Sequence, residues 1–190
     1  MTTTASGLRV GIAVAGAALA LLAVPTPAQA EPPSLFALVD AAAQRLETAD
    51  AVAASKWITH APIEDAVREQ QVIDAVTAAA GDVGVDPSYV ARAFRDQIDA
   101  TVAVQYDRFG EWKLDPGGAP TAAPDLSDSR ATIDALNRTM VSEIAAQWDS
   151  LRAPQCDVDL ETASNDVAAA RDLDAEYRRA LAFATRSYCQ

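Results

Sequence analysis

The chain has 190 residues, half of them hydrophobic, with 27 acidic against 15 basic side chains and a formal net charge of −12. That length allows one domain with a sizeable core. The charge excludes nucleic acid as a partner, because neutralising phosphates needs a basic surface, whereas a small anion could still be held by a local cluster of cations.

The first thirty residues contain no acid, carry Arg9, run apolar from Gly11 to Val24 and end in Pro27, Ala28, Gln29 and Ala30. This is the pattern of a secretory signal peptide with an A-x-A cleavage site. The apolar run is shorter than the roughly 20 residues of a membrane-spanning helix. The expected organisation is a cleavable signal peptide over 1–30 and an exported domain over 31–190, in the periplasm or outside the cell and free of the membrane after cleavage. A retained anchor is the alternative.

Helical periodicity dominates the rest of the chain. Leu35, Val39, Ala42, Leu46, Ala49 and Ala53 recur at steps of three and four, which predicts a long first helix ending before Pro62. A second helix is predicted from about Ile63 to Ala80, stopped by Gly81. Asp86 and Pro87 read as N-cap and first residue of a third helix reaching about Trp112. The Pro- and Gly-rich stretch from Asp115 to Asp125 is a loop, and a fourth helix runs from about Ser127 to Leu151, before Pro154. A C-terminal helical pair closes the chain, with "RDLDAEY" (171–177) as its corner and Asp174 as N-cap of the last helix. No strand pattern or repeat competes, so the fold class is all-α, a single domain of about six helices with long first, third and fourth helices.

The two cysteines, Cys156 and Cys189, both fall in the exported part, so one disulfide pinning the C-terminal pair is the natural reading, with an inert or intermolecular pair as the alternative. One unbroken helix between them would hold the sulfurs about 50 Å apart, so a disulfide requires the chain to fold back.

Several polar residues lie against this pattern. Arg45 and Lys56, three turns apart, flank the apolar stripe of the first helix, as snorkelling cations do or as an anion site would. Asp65, Arg68 and Glu69 share a face that continues into Val72 and Ala75, where a structural ion pair between Arg68 and its two acids is one explanation. Arg130, early in the fourth helix, is opposed by the helix dipole. Thr101 and Gln105 share a face with Phe94 and Val104. Thr101 can satisfy itself on a carbonyl one turn back, whereas Gln105 is expected to have no such exit. His60, the single histidine, reads as surface, and neither a triad, a zinc pattern nor a Gly-rich phosphate loop is present. Trp57, Trp112 and Trp148 fall at core spacings and imply no cofactor.

Taken as one ordered set, Arg45, Lys56, Asp65, Arg68, Glu69, Thr101 and Gln105 resemble the active-site residues of the all-helical class of chorismate mutase. The stretches "LVDAAAQRLETADAVAASKW", "PIEDAVREQQ", "DQIDATVAVQYDRF", "LSDSRATIDALN" and "SYCQ" resemble its exported subclass. The resemblance implies conversion of chorismate to prephenate, in the aromatic amino acid (shikimate) pathway, with no cofactor, no metal and no covalent intermediate, by a chain that is typically a homodimer. It assigns Arg45, Arg68 and Arg130 to the substrate carboxylates, Lys56 and Gln105 to the breaking ether oxygen, Asp65 and Glu69 to the substrate hydroxyl and to orienting the cations, and Thr101 to supporting a carboxylate. Lys56, Gln105 and Arg45 form the catalytic group among these. Some exported relatives carry a glutamate where Gln105 stands. Cytoplasmic members borrow an arginine from a partner chain, for which Arg130 is the candidate replacement within this chain. Two other readings remain at this point: a non-catalytic exported helical binding protein that keeps the anion pocket for a host or carrier partner, and an acidic, disulfide-pinned interaction protein whose polar residues form structural ion pairs.

Overall fold

The apolar stripe of the first helix sits at the centre of the helical core. In the computed structural model, which describes residues 1–3 and 35–190, α1 spans Phe36–Thr59, and Val39, Ala42, Leu46, Ala49 and Ala53 on it are fully buried. The expected signal peptide lies outside the described residues. All the helices belong to the unit Pro32–Gln190.

Among the described residues, five further helices pack around or beside α1: α2 (Ala66–Asp82), α3 (Pro87–Leu114), α4 (Leu126–Ala146), α5 (Cys156–Ala170) and α6 (Ala175–Ala184). No strand occurs among the described residues, so the all-α expectation holds. Helix α1 lies against α3, α4, α5 and α6, while α2 crosses α3 and α4. The core that joins them includes Leu38, Leu46, Phe94, Met140 and Ile144, all fully buried.

The predicted caps at Asp86 and Asp174 are present: each carboxylate accepts from a backbone N–H of the first turn, of Ser88 and Tyr177 respectively. Two boundaries of α2 differ from expectation. Asp65, placed inside the helix by sequence, is its N-cap, accepting from Arg68 N at 3.0 Å. Gly81 does not stop the helix; the turn is made by Gly84 at φ +74°, with Val85 N donating to Ala80 O in a Schellman arrangement. Helix α4 also ends sooner than predicted, at Ala146, and a short 3-10 turn over Ser150–Arg152 carries the chain to Pro154. No glycine or proline marks that end, so the periodicity ran on through it.

Cys156 and Cys189 form a disulfide with their Cα atoms 5.6 Å apart, tying the start of α5 to the end of the chain. The tail it secures buries Tyr188 and is bonded to the core elements: the Tyr89 hydroxyl donates to the Tyr188 carbonyl at 2.8 Å, and Gln190 N to Leu151 O at 3.1 Å. His60 caps α1 in a left-handed conformation and is exposed, as a surface histidine should be. Trp57 and Trp112 stack edge-on with each other, and Trp148 with Tyr89, in keeping with packing roles.

Candidate active site

Where α1, α2 and α3 converge, they enclose a cavity whose polar lining is Arg45, Lys56, Asp65, Arg68, Glu69, Thr101 and Gln105. Val52, Ile63, Val72, Ile98 and Ile133 supply its apolar walls. Seven of the eight candidate residues are thus brought together from three helices and the α1–α2 turn. Arg130 is the exception. It is exposed on α4 and lies at a neighbouring surface recess with Asp65, Arg68 and Gln71.

Each side chain is fixed by a definite partner. Arg45, only 4% exposed, donates from Nε to Asn137 Oδ1 at 2.7 Å and from Nη1 to Thr101 Oγ1 at 3.3 Å. A guanidinium has five N–H donors, so its remaining ones are uncommitted. Lys56 Nζ donates to the Ile63 carbonyl and has further donors in hand. Thr101 hydroxyl donates to Gln97 O at 2.8 Å, as the sequence suggested.

Gln105 corrects the sequence reading. Its amide does find an exit, donating from Nε2 to Thr101 O at 3.2 Å, one turn back along α3. Its Oε1, in contrast, is buried without a partner, a condition that costs about 1–3 kcal/mol. Gln97, Thr101 and Gln105 form a polar file at four-residue spacing, in which the latter two bond back one turn and Gln97 reaches across to Ala42 O of α1 at 3.1 Å.

The expected ion pair of Arg68 with Asp65 and Glu69 is also replaced. Arg68 Nη2 pairs with Asp134 of α4 at 2.6 Å, Glu69 accepts from Arg95 at 3.0 Å, and Asp65 serves as the α2 cap. The reason is positional. Asp65 lies at the helix start, where its carboxylate is drawn to the free backbone N–H groups.

The electrostatics are those of an anion site. Burial pushes the Arg45 guanidinium down to about 10, a displacement that Arg68 reinforces and that Tyr188 and Asp134 oppose. Burial likewise lowers the Lys56 ammonium below its ordinary value, against the pull of Asp65 and Glu69 and with the help of Arg130. Neither Arg45 nor Lys56 is salt-bridged to a carboxylate among the described residues, although Arg68, Arg95, Arg108, Arg171 and Arg186 all are. Two cations that no carboxylate pairs with, held in a partly apolar cavity, favour a ligand carrying negative charge. The same observation removes the ion-pair reading of Arg45 and Lys56.

Asn137 and Asp134 were not singled out by sequence. Asn137 is 6% exposed and lies on the apolar stripe of α4 with Ile133, Met140, Val141 and Ile144. A polar residue on such a stripe is the signal that pointed to Gln105, and it was available here too.

The chain is similar to known proteins over most of its length. Residues 36–106, which include the seven grouped side chains, match the family model for chorismate mutase type II. The chain is 55% identical over 177 residues to a secreted chorismate mutase of Mycolicibacterium smegmatis, covering 93% of this chain and 98% of that protein. It is 51% identical over 156 residues to the secreted chorismate mutase of Mycobacterium tuberculosis, covering 82% and 78% respectively. A crystal structure of chorismate mutase from Burkholderia phymatum superimposes with a TM-score of 0.79 at 31% identity, over 84% of this chain and 98% of that one. Matched by such relatives along most of its length, the chain belongs to the chorismate mutase type II family.

Proposed function

We propose that the cavity between α1, α2 and α3 converts chorismate to prephenate by an intramolecular Claisen rearrangement, in an exported enzyme. The observation that carries the reading is the grouping of Arg45, Lys56 and Gln105, each with unused N–H donors, in one cavity where neither cation is neutralised by a carboxylate.

Chorismate has two carboxylates and an enolpyruvyl ether, and must adopt a compact chair-like geometry to react. Holding it there is catalysis by orientation. Arg45 and Arg68 present guanidinium groups suited to parallel pairing with carboxylates, with Thr101 beside Arg45 as support. Arg130, in the neighbouring recess with Asp65 and Arg68, is assigned to a substrate carboxylate from the α4 side. As the C–O bond breaks ahead of C–C formation, negative charge grows on the ether oxygen. Fixed donors at that oxygen lower the barrier because they bind the transition state more tightly than the ground state. Lys56 supplies a charged donor and Gln105 a neutral one. Asp65 and Glu69 accept from the substrate hydroxyl and keep Lys56 charged.

The reading extends to a cleavable leader over 1–30, a catalytic domain over 31–190, a place in aromatic amino acid biosynthesis and assembly as a homodimer. N-terminal sequencing of the exported protein tests the leader, and sedimentation equilibrium the dimer. For the reaction, chorismate consumption is followed with the mature oxidised protein alongside folded Lys56→Ala and Gln105→Ala variants. Turnover in the parent that collapses in both is the expected result. A folded parent without turnover would leave a binding protein instead.

A further inference from the structure

Helix α4 holds two of the site's arginines, and it does so with different chemistry. Asp134 gives a carboxylate to Arg68, which is 29% exposed, and Asn137, one turn on, gives an uncharged amide oxygen to Arg45, which is 4% exposed. The second acceptor on Arg45, the Thr101 hydroxyl, is neutral as well.

This arrangement inverts the usual one. A buried charge is ordinarily paired, and elsewhere in the protein arginines that bridge elements are held by carboxylates: Arg108 by Asp50 and Glu176, Arg171 by Asp40 and Glu47, Arg186 by the buried Asp96. An aspartate at 137 would have nearly the same shape as asparagine, would still accept from Nε, and would pair the most desolvated cation of the site. It would also cancel the charge that a substrate carboxylate has to meet.

Resting on the proposed mutase reaction, we propose that Asn137 is a positioning residue for it: Asn137 fixes the Arg45 guanidinium through Nε while leaving its positive charge uncompensated for a substrate carboxylate. The bond leaves the Nη edge of Arg45 available, apart from the one N–H given to Thr101. The charged or titratable groups acting on Arg45 are Arg68 of α2, Asp134 of α4 and the Tyr188 phenol of the C-terminal segment, and α3 presents the uncharged Thr101. Asp134 is already committed to Arg68, so the amide at 137 keeps the local balance positive.

The test compares the parent with Asn137→Asp and Asn137→Ala in thermal unfolding and in chorismate kinetics. The expected result for Asn137→Asp is a melting temperature equal to or above the parent's, together with a KM raised by about tenfold to a hundredfold, the worth of one charge-assisted hydrogen bond, and a smaller fall in kcat. Asn137→Ala, which frees the guanidinium and keeps its charge, is expected to lower the melting temperature and to raise KM less than Asn137→Asp does. A purely structural role predicts the opposite order, with the aspartate close to wild type. An active parent matched by an equally active Asn137→Asp, or an Asn137→Asp that melts well below the parent, overturns the proposal alone. A parent inert toward chorismate refutes the reaction itself and the proposal with it.

Discussion

Gln105→Leu should make the protein more stable and far less active. In the parent, the amide is 3% exposed, and its Oε1 is buried without a partner, at a cost of about 1–3 kcal/mol. Leucine of similar volume removes that orphaned acceptor. It also removes the Nε2 bond to Thr101 O, worth about 0.5–1.5 kcal/mol, but this carbonyl retains its backbone bond within α3. The net change is a gain of about 1 kcal/mol, or about 2–4 °C in Tm for a domain of this size. In the reaction, the variant loses a fixed donor at the ether oxygen, and losses of this kind lower kcat by about 10²–10³. Differential scanning calorimetry and a chorismate absorbance assay on one preparation read both quantities. A variant that keeps kcat within about tenfold of the parent would refute the role of Gln105 as a donor to the developing oxyanion. A variant that melts lower would refute the claim that the buried oxygen is a liability.

Replacing the same amide by Gln105→Glu should make turnover acid-dependent, because only the protonated carboxyl donates, whereas the parent should stay flat from about pH 5 to 7.5. The parent's kcat/KM should instead decline on the basic side before pH 10.5, the ordinary lysine value: burial lowers both Lys56 and Arg45, the active forms are the cations, and these are lost as pH rises through the lowered values. A pH–rate profile flat beyond that point contradicts the assignment. Reducing Cys156–Cys189, which closes a loop with a sequence separation of 33, should cost about 4 kcal/mol on the chain-entropy model, or about 8–16 °C in Tm, measured by calorimetry with and without reductant. Asp134→Asn should free Arg68 from its partly exposed pair, lowering KM for chorismate by about twofold to fivefold at a stability cost of about 1 kcal/mol or less. Steady-state kinetics check it, and an increase in KM would show that Asp134 is needed to hold Arg68 in place.

The features legible in the sequence are those in which one residue type dominates a pattern. The α1 stripe can be read because Val39, Ala42, Leu46, Ala49 and Ala53 are all apolar and all buried, and the caps at Asp86 and Asp174 because a carboxylate before a helix start has few other uses. The ends of α2 and α4 were not legible. Gly81 and Gly84 are equally permissive, and only the one that turns the chain takes positive φ, while α4 stops at Ala146 without any local breaker. Partner choice was hidden for a related reason: spacing shows that Arg68 is near Asp65 and Glu69 on its own helix, but not that Asp134 arrives from another.

The polar residues on buried faces divide by what they do to charge. Thr101, Gln105 and Asn137 are neutral, and leucine at 105 would gain stability by removing the orphaned Oε1, as aspartate at 137 would keep or gain it by pairing with Arg45. On the proposed reaction, their neutrality is what the site requires. Thr101 and Asn137 hold the buried Arg45 without discharging it, and Gln105 offers a donor whose state does not vary with pH. A fold assembled for stability alone would set an aspartate at 137 and a leucine at 105. The first choice would keep or raise the melting temperature and, on the proposed reaction, remove the attraction for a carboxylate; the second would raise it and remove the donor for a developing oxyanion. The marker of function on these helices is therefore an uncharged polar side chain on an apolar stripe, next to a cation that no carboxylate has claimed.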